Sequence, residues 1–164
     1  MVKIGLLTLN GYSNFGNRLQ NYATQEVLNS LGFDVETIIN ATVSEKTLSK
    51  RLNNLKKYSS RDICSKIYDK LLRSLKKRSI AKRYDIFRQF TITHIKETKY
   101  TISQDNIPDD LSDRYDYFIT GSDQVWNPAN LHGSSIYFLT FAPKHKRIAF
   151  APSFGVSEIK AEYV

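Results

Sequence analysis

Apolar and polar positions alternate in blocks along the first forty residues. Lys3 to Leu9 (KIGLLTL) is a short apolar run stopped by Asn10-Gly11, the pattern of a buried strand. Tyr12 to Asn17 (YSNFGN) is small, polar and punctuated by glycine. Leu19, Tyr22, Ala23, Val27, Leu28 and Leu31 then recur at spacings of three and four, which predicts an amphipathic helix with those residues as its apolar stripe. Gly32 supplies the stop. Phe33 to Ile39 (FDVETII) reads as a second strand. Strand, tight loop, helix and strand make a βαβ unit, whose strands pair in parallel with a right-handed crossover.

Residues 44–90 have a different texture, rich in Lys, Arg, Leu, Ile and Tyr and without Gly or Pro. Leu48, Leu52 and Leu55 lie at helical spacing, as do Ile63, Ile67, Leu71 and Leu75, and then Ile80, Tyr84 and Phe87. Two or three helices fit, with breaks near Ser59-Ser60 and Ser79. Thr91 to Thr101 alternates and reads as a strand or extended loop, followed by an acidic turn region from Asp105 to Asp113. Tyr115 to Thr120, Ile136 to Phe141 and Arg147 to Ala151 read as three further short strands. The order predicts an α/β fold, a Rossmann-like parallel sheet flanked by helices, in a single domain over residues 1–164. A chain of this size buries roughly 70% of its unfolded surface, enough for a proper core.

Charge changes the picture in one segment. Between Lys46 and Lys99 there are 17 Lys/Arg against 4 Asp/Glu, whereas the rest of the chain is net acidic, within an overall charge of +8. The plain reading is solvated faces on basic helices; the alternatives are a non-enzymatic module for nucleic acid or an anionic membrane surface. No recognisable nucleic-acid motif accompanies the charge, and no nucleic acid is expected as a partner. Nothing approaches the roughly 18 apolar residues of a membrane span, and the first apolar run is too short for a secretory leader. The lone Cys64 offers neither an internal disulfide nor a metal cluster. His94, His132 and His145 stand at no metal-ligand spacing. These features predict a cytoplasmic protein, with the inner face of the membrane as a place of work for its basic helices, and with no metal and no cofactor.

Candidate chemistry lies in three loops that each follow a predicted strand: Asn10–Asn17, Gly121–Asn127 and Ser153–Gly155. Open α/β sheets bind ligands at the carboxyl ends of their strands. Glycine permits close backbone approach, and Ser, Asn, Asp and Gln supply donors and acceptors suited to sugar hydroxyls or phosphate. The first loop lacks both G-x-G-x-x-G and G-x-x-x-x-G-K-[ST], so its signal as a phosphate loop is weak and the plain reading is a turn and helix cap. Asp123 is a candidate proton acceptor for a hydroxyl, or else a turn residue. Trp126 is a core residue or a sugar platform. Arg18 is a surface helix residue or points at an anionic ligand.

Taken together and in order, KIGLLTLNGYSNFGNRLQNYATQEVLNSLGFDVETI at Lys3–Ile38, YDYFITGSDQVWNP at Tyr115–Pro128 and IYFLTFAPKHKRIAFAPSFG at Ile136–Gly155 resemble the polysaccharide pyruvyl transferase family. The elements N-F-G…L-Q-N-Y-A and G-S-D-Q-V-W-N carry the resemblance. Asn17-Arg18 departs from the small residue that family members often carry after N-[FY]-G, and residues 44–90 fall where the family varies. The resemblance implies a chain similar to one half of a GT-B-type two-domain transferase, its carboxyl-terminal domain absent. It implies transfer of the enolpyruvyl carbon of phosphoenolpyruvate, a donor substrate, onto two hydroxyls of a glycan or lipid-linked sugar in bacterial capsule, exopolysaccharide or cell-wall synthesis. Donor-binding basic residues are expected mainly from the other half, which makes this half inactive by itself or the product of a truncated gene. Substrate contacts are implied for Asn14, Gly16, Asn17 and Gln20, for Gly121, Ser122, Asp123, Gln124, Trp126 and Asn127, and for Ser153, Phe154 and Gly155.

Overall fold

The computed structural model describes residues 1–11, 14–41, 81–128 and 135–159. Five strands form one sheet: β1 (Lys3–Leu7), β2 (Asp34–Asn40), β3 (Glu97–Ile102), β4 (Tyr117–Asp123) and β5 (Arg147–Pro152). Their order is β3-β2-β1-β4-β5, and every pairing is parallel. Helix α1 (Phe15–Ser30) joins β1 to β2, and residues 81–94 form a helix, α2, that leads into β3. The expected Rossmann-like α/β sheet is therefore present. Cys64, His132 and the helices expected between residues 44 and 80 lie outside the described residues.

The central strands β1 and β4 are apolar and largely buried because both faces of the sheet are covered there, as a parallel sheet requires, whereas the edge strand β5 stays mostly exposed. Leu6 pairs with Thr37 on one side and Ile119 on the other. Ile4, Leu6, Val35 and Ile119 form one core layer with Leu28 of α1. Leu7, Ile38 and Phe118 form the opposite layer with Val125, Ile136 and Leu139. Burying each such side chain contributes about 1.5–3 kcal/mol. Gly5 sits in β1 because a Cβ there would lie 2.7 Å from Ile38 Cδ1.

Helix α1 corrects one expectation. Most of its apolar stripe is not the core face: Leu28 packs on the sheet, but Leu19, Val27 and Leu31 are 53%, 50% and 65% exposed. The buried residues are Asn17, Arg18, Asn21, Thr24 and Gln25. The cause is the surface beneath. Gln25 clamps the Lys96 peptide at the entry to β3: its Nε2 donates to the Lys96 carbonyl (2.8 Å) and its Oε1 accepts from the Lys96 N–H (3.0 Å). The same Nε2 donates to Thr37 Oγ1, which donates to Asn21 Oδ1, both at 2.7 Å. A helix facing hydroxyls and open peptide groups must bring polar partners, since a buried unpaired amide costs about 1–3 kcal/mol.

Three further expectations are revised. Residues 91–94 continue α2, and extended structure begins only at Glu97. Phe87 of α2 packs on Phe15, and Phe90 and His94 on Tyr22, so the helix gains more from continuing than from fraying. Ile136 to Phe141 is not a strand. Ile136–Phe138 is one 3₁₀ turn, ended by Leu139 in the left-handed region (φ 57°). Ile136, Tyr137 and Leu139 are buried, so the run is apolar because it plugs the sheet. Arg18 is not a surface residue: it is fully buried and ion-paired to Glu97 at 2.8 Å.

Far from the three loops, at the entry end of β1 and β4, Tyr115 Oη donates to Glu36 Oε1 and bonds Tyr100 Oη, both at 2.6 Å. Lys3 pairs with Glu36 at 3.3 Å. Burial, and then the Glu36 carboxylate, push the Tyr115 hydroxyl well above the ordinary tyrosine range. A raised folded value means that this stabilisation is complete below the ordinary tyrosine pKa of about 10 and is lost as pH rises beyond it. We expect the denaturant midpoint to fall above about pH 10, and Tyr115→Phe to flatten that fall while lowering the neutral-pH midpoint. An unchanged alkaline limb in Tyr115→Phe would contradict this assignment.

Candidate functional site

The sheet is built outward in two directions from β1: β2 and β3 to one side, β4 and β5 to the other. The connection from β1 leads to α1, over the Ile4–Leu6–Val35–Ile119 face. The chain after β4 turns to the opposite face, where Val125 is buried. The two connections part at the carboxyl ends of β1 and β4, which makes this the topological switch point, the place where open α/β sheets hold ligands.

The first expected loop reaches this point through the start of α1. Asn14 is the N-cap, and its Oδ1 accepts from the Gly16 N–H at 2.9 Å. That bond satisfies one of the amides a helix start leaves open. Asn17 follows on the buried side, and its Nδ2 donates to Asp123 Oδ2 at 3.1 Å, joining α1 to the end of β4. A Cβ on Gly11 would overlap Asn17 Oδ1, so the residue at position 11 must be small for Asn17 to take this place. Gln20 lies behind: Thr8 Oγ1 donates to its Oε1 at 3.1 Å, while Gln20 Nε2 is buried without a partner.

The second loop is shaped by its backbone. Gly121 has φ 116° and is followed by a cis peptide to Ser122, and Asp123 sits at φ 77°. A side chain at Gly121 would overlap the Phe150 carbonyl oxygen of β5. Asp123 adopts a left-handed conformation that aspartate tolerates better than most residues, a form of strain that collects at functional sites. Its Oδ1 accepts from the Gln124 N–H at 2.8 Å while Oδ2 holds Asn17. Beyond it, Asn127 Nδ2 donates to Gln124 Oε1 at 2.9 Å.

The third loop closes on the second. The Ser153 N–H donates to the Asp123 carbonyl at 2.9 Å, and the Trp126 N–H donates to the Ser153 carbonyl at 3.2 Å. Gly155 has φ 62° and passes so close to Gln124 that a Cβ would overlap its side chain. Phe154 packs against Trp126 with ring centres 5.6 Å apart. The structure thus brings the three segments to one rim. Asn17, Asp123, Gln124 and Ser153 are joined directly or through one shared residue, and Asn14 and Gly16 set the helix start that presents Asn17.

Phe138 and Thr8 were missed in the sequence. Phe138 was hidden inside an apolar run read as a strand, yet its ring stacks on Trp126. Thr8 could have been found as the hydroxyl that interrupts the β1 run. The basic cluster from Lys144 to Arg147 is structural in part: Lys146 Nζ donates to the Ser112 and Tyr115 carbonyls, and Arg147 to those of Ala142 and Thr140. Among the described residues, no three His, Cys, Asp or Glu side chains gather as a metal ion would require, and no helix is long and apolar enough to cross a membrane.

The side chains at this rim are carboxylate, amide, hydroxyl and aromatic. They can hold and orient hydroxyl groups, and Asp123 can accept a proton. No curated protein and no solved structure matches the chain. The family model for polysaccharide pyruvyl transferase matches residues 14–163, a span that takes in α1, β4, β5 and all three site loops from Asn14 onward, and the chain belongs to that family.

Proposed function

We propose that the switch-point rim holds the sugar acceptor for pyruvyl transfer, and that the phosphate and carboxylate of phosphoenolpyruvate are gripped by basic residues from a carboxyl-terminal half of a GT-B-like enzyme. The observation that carries this reading is the Asn17–Asp123 bond across the switch point, which sets one carboxylate among amides and hydroxyls. Arg18, the cation next to Asn17 in sequence, is held by Glu97 and Asn10. A rim of this kind suits neutral hydroxyls, whereas phosphoenolpyruvate calls for Arg or Lys.

In the reaction so assigned, one sugar hydroxyl oxygen bonds to C2 of phosphoenolpyruvate. A proton goes to C3, making the methyl group. A second hydroxyl oxygen then bonds to C2 and the C–O bond to phosphate breaks, giving the ketal and inorganic phosphate. Both hydroxyls lose their protons, and Asp123 is the group on this chain positioned to accept one. The product adds a carboxylate to a capsule, exopolysaccharide or cell-wall polymer.

Titration of the protein with defined glycans and, separately, with phosphoenolpyruvate tests the division of labour. We expect glycan binding that falls about tenfold or more in Asp123→Ala, consistent with loss of a charge-assisted hydrogen bond. We also expect no phosphate release from phosphoenolpyruvate by this chain alone. Turnover by residues 1–164, or glycan binding indifferent to Asp123, would refute the reading.

A cytoplasmic site of action at the inner membrane face is part of the same proposal. Lys82, Arg83 and Arg88 are exposed on α2, and such charges contribute about 1 kcal/mol each near an anionic leaflet. Flotation with anionic vesicles should retain the protein at about 50 mM salt and release it by about 200 mM; equal flotation with neutral vesicles would contradict this. The same salt series on duplex DNA tests the nucleic-acid alternative.

A further inference from the structure

Trp126, Phe138 and Phe154 form an aromatic group at the outer end of the rim. Phe138 lies 5.6 Å from Trp126, nearly parallel at 25°, and Phe154 lies 5.6 Å away at 50°. The indole N–H donates to the Tyr137 carbonyl at 3.1 Å, which fixes the central ring. The two phenylalanines stay 40% and 38% exposed, although fully buried aliphatic residues lie close by in the core layer. Core packing accounts for Trp126 but leaves the flanking rings at the surface, where a cluster of large apolar groups marks a contact site.

The neighbours define what the contact is. Gln124 and Asn127 bond each other beside Trp126. Ser153 ties the Trp126 backbone to that of Asp123 through two consecutive hydrogen bonds. Aromatic faces rimmed by amides suit a ligand with an apolar face and polar edges. A sugar ring has that form: its C–H face can lie on a phenyl ring while its hydroxyls meet the amides. A lipid chain would cover those amides without offering them a partner. An anion would face the Asp123 carboxylate.

We propose that Phe138 and Phe154 form a second sugar subsite, one that takes the ring adjacent to the acceptor residue of a glycan chain. The inference rests on the acceptor reading of the rim and extends it: the substrate presented to this protein is an oligosaccharide or longer, and the aromatic group selects for length. A monosaccharide occupies the rim at Asn17 and Asp123 and leaves the platform empty.

The test uses Trp126 fluorescence, because it is the only tryptophan in the chain. The protein is titrated with a panel of defined hexose and N-acetylhexosamine monosaccharides and their di- to tetrasaccharides, following emission and heat. The expected result is tighter binding of oligosaccharides than of their single units, with an emission shift that monosaccharides do not produce. Phe138→Ala and Phe138→Leu should each weaken oligosaccharide binding about tenfold and leave monosaccharide binding within about twofold. The leucine variant keeps an apolar side chain, so its parallel loss would separate ring stacking from a general packing effect. Equal weakening of both ligand classes, or no weakening of either, would overturn the subsite. Oligosaccharide binding that needs Asp123 but not Phe138 removes the platform and leaves the acceptor reading intact. Binding that needs Phe138 but not Asp123 leaves the platform and removes the acceptor from the switch point. No binding of any glycan overturns both.

Discussion

Arg18→Ala is expected to lower the stability of the protein by about 3–5 kcal/mol, the range found when one partner of a buried ion pair is removed. The Arg18 side chain is 1% exposed; its Nη1 donates to Glu97 Oε1 at 2.8 Å and its Nη2 to Asn10 Oδ1 at 3.3 Å. Truncation leaves the Glu97 carboxylate without that charge partner in a largely dry setting, and it empties the volume of a long side chain. Both effects act in one direction. Arg18→Lys keeps the charge but not the fork that reaches two partners, so it should fall between wild type and Arg18→Ala. Arg18→Met combined with Glu97→Leu should recover most of the loss, because removing both charges together strands neither. Urea unfolding followed by circular dichroism provides the measurement. A single mutant within about 1 kcal/mol of wild type would contradict the buried pairing.

Gly121→Ala carries the second large expectation, a loss of about 2–6 kcal/mol from two sources. Backbone at φ 116° is open to glycine and costs a residue with a side chain about 1–3 kcal/mol. Overpacking adds about 1–3 kcal/mol, because the new methyl would overlap the Phe150 carbonyl oxygen. That neighbour is backbone of β5 and cannot rotate aside. Relief requires β5 to draw away from β4, which would also stretch the Ser153–Asp123 hydrogen bond. The variant should therefore lose stability and glycan binding together. Gly32→Ala is the control: that glycine also has a positive φ, 88°, but open space around it, so only the smaller conformational cost applies. Equal losses at the two positions would show that the β4–β5 approach is not the cause.

The apolar runs that became β1 and β4 were legible because a strand covered on both faces has few polar positions to confuse it, and β2 was legible from the alternation of DVETII. Gly32 was legible as a helix stop, and it does adopt a positive φ. Helix α1 shows where periodicity stops being informative. A stripe at three- and four-residue spacing says that a helix has two unlike faces; it does not say which one turns inward. Here the sheet offers Thr37 and the Lys96 peptide to the helix, and the amide face wins over Leu19 and Val27. That preference depends on residues 71 positions apart and cannot be seen in a local window. Leu139 is a similar case: the apolar run around it resembles a strand until a left-handed residue folds it into a plug. The rim was visible as three glycine-bearing loops after strands, while the particular residues came from the family resemblance. The aromatic group was half legible: Trp126 and Phe154 stand in glycine-bearing loops after strands, whereas Phe138 lies inside an apolar run.

Nitrogen-15 amide shift mapping of the protein, titrated with the tightest oligosaccharide from the fluorescence panel, tests the placement of the acceptor most directly. We expect the largest shifts at Asn17, Gln20, Asp123, Gln124 and Ser153, with a second group at Trp126 and Phe138. Shifts confined to the far end of the sheet, around Glu36 and Tyr115, with the rim silent, would contradict the claim that the switch point between β1 and β4 is where this protein holds its sugar.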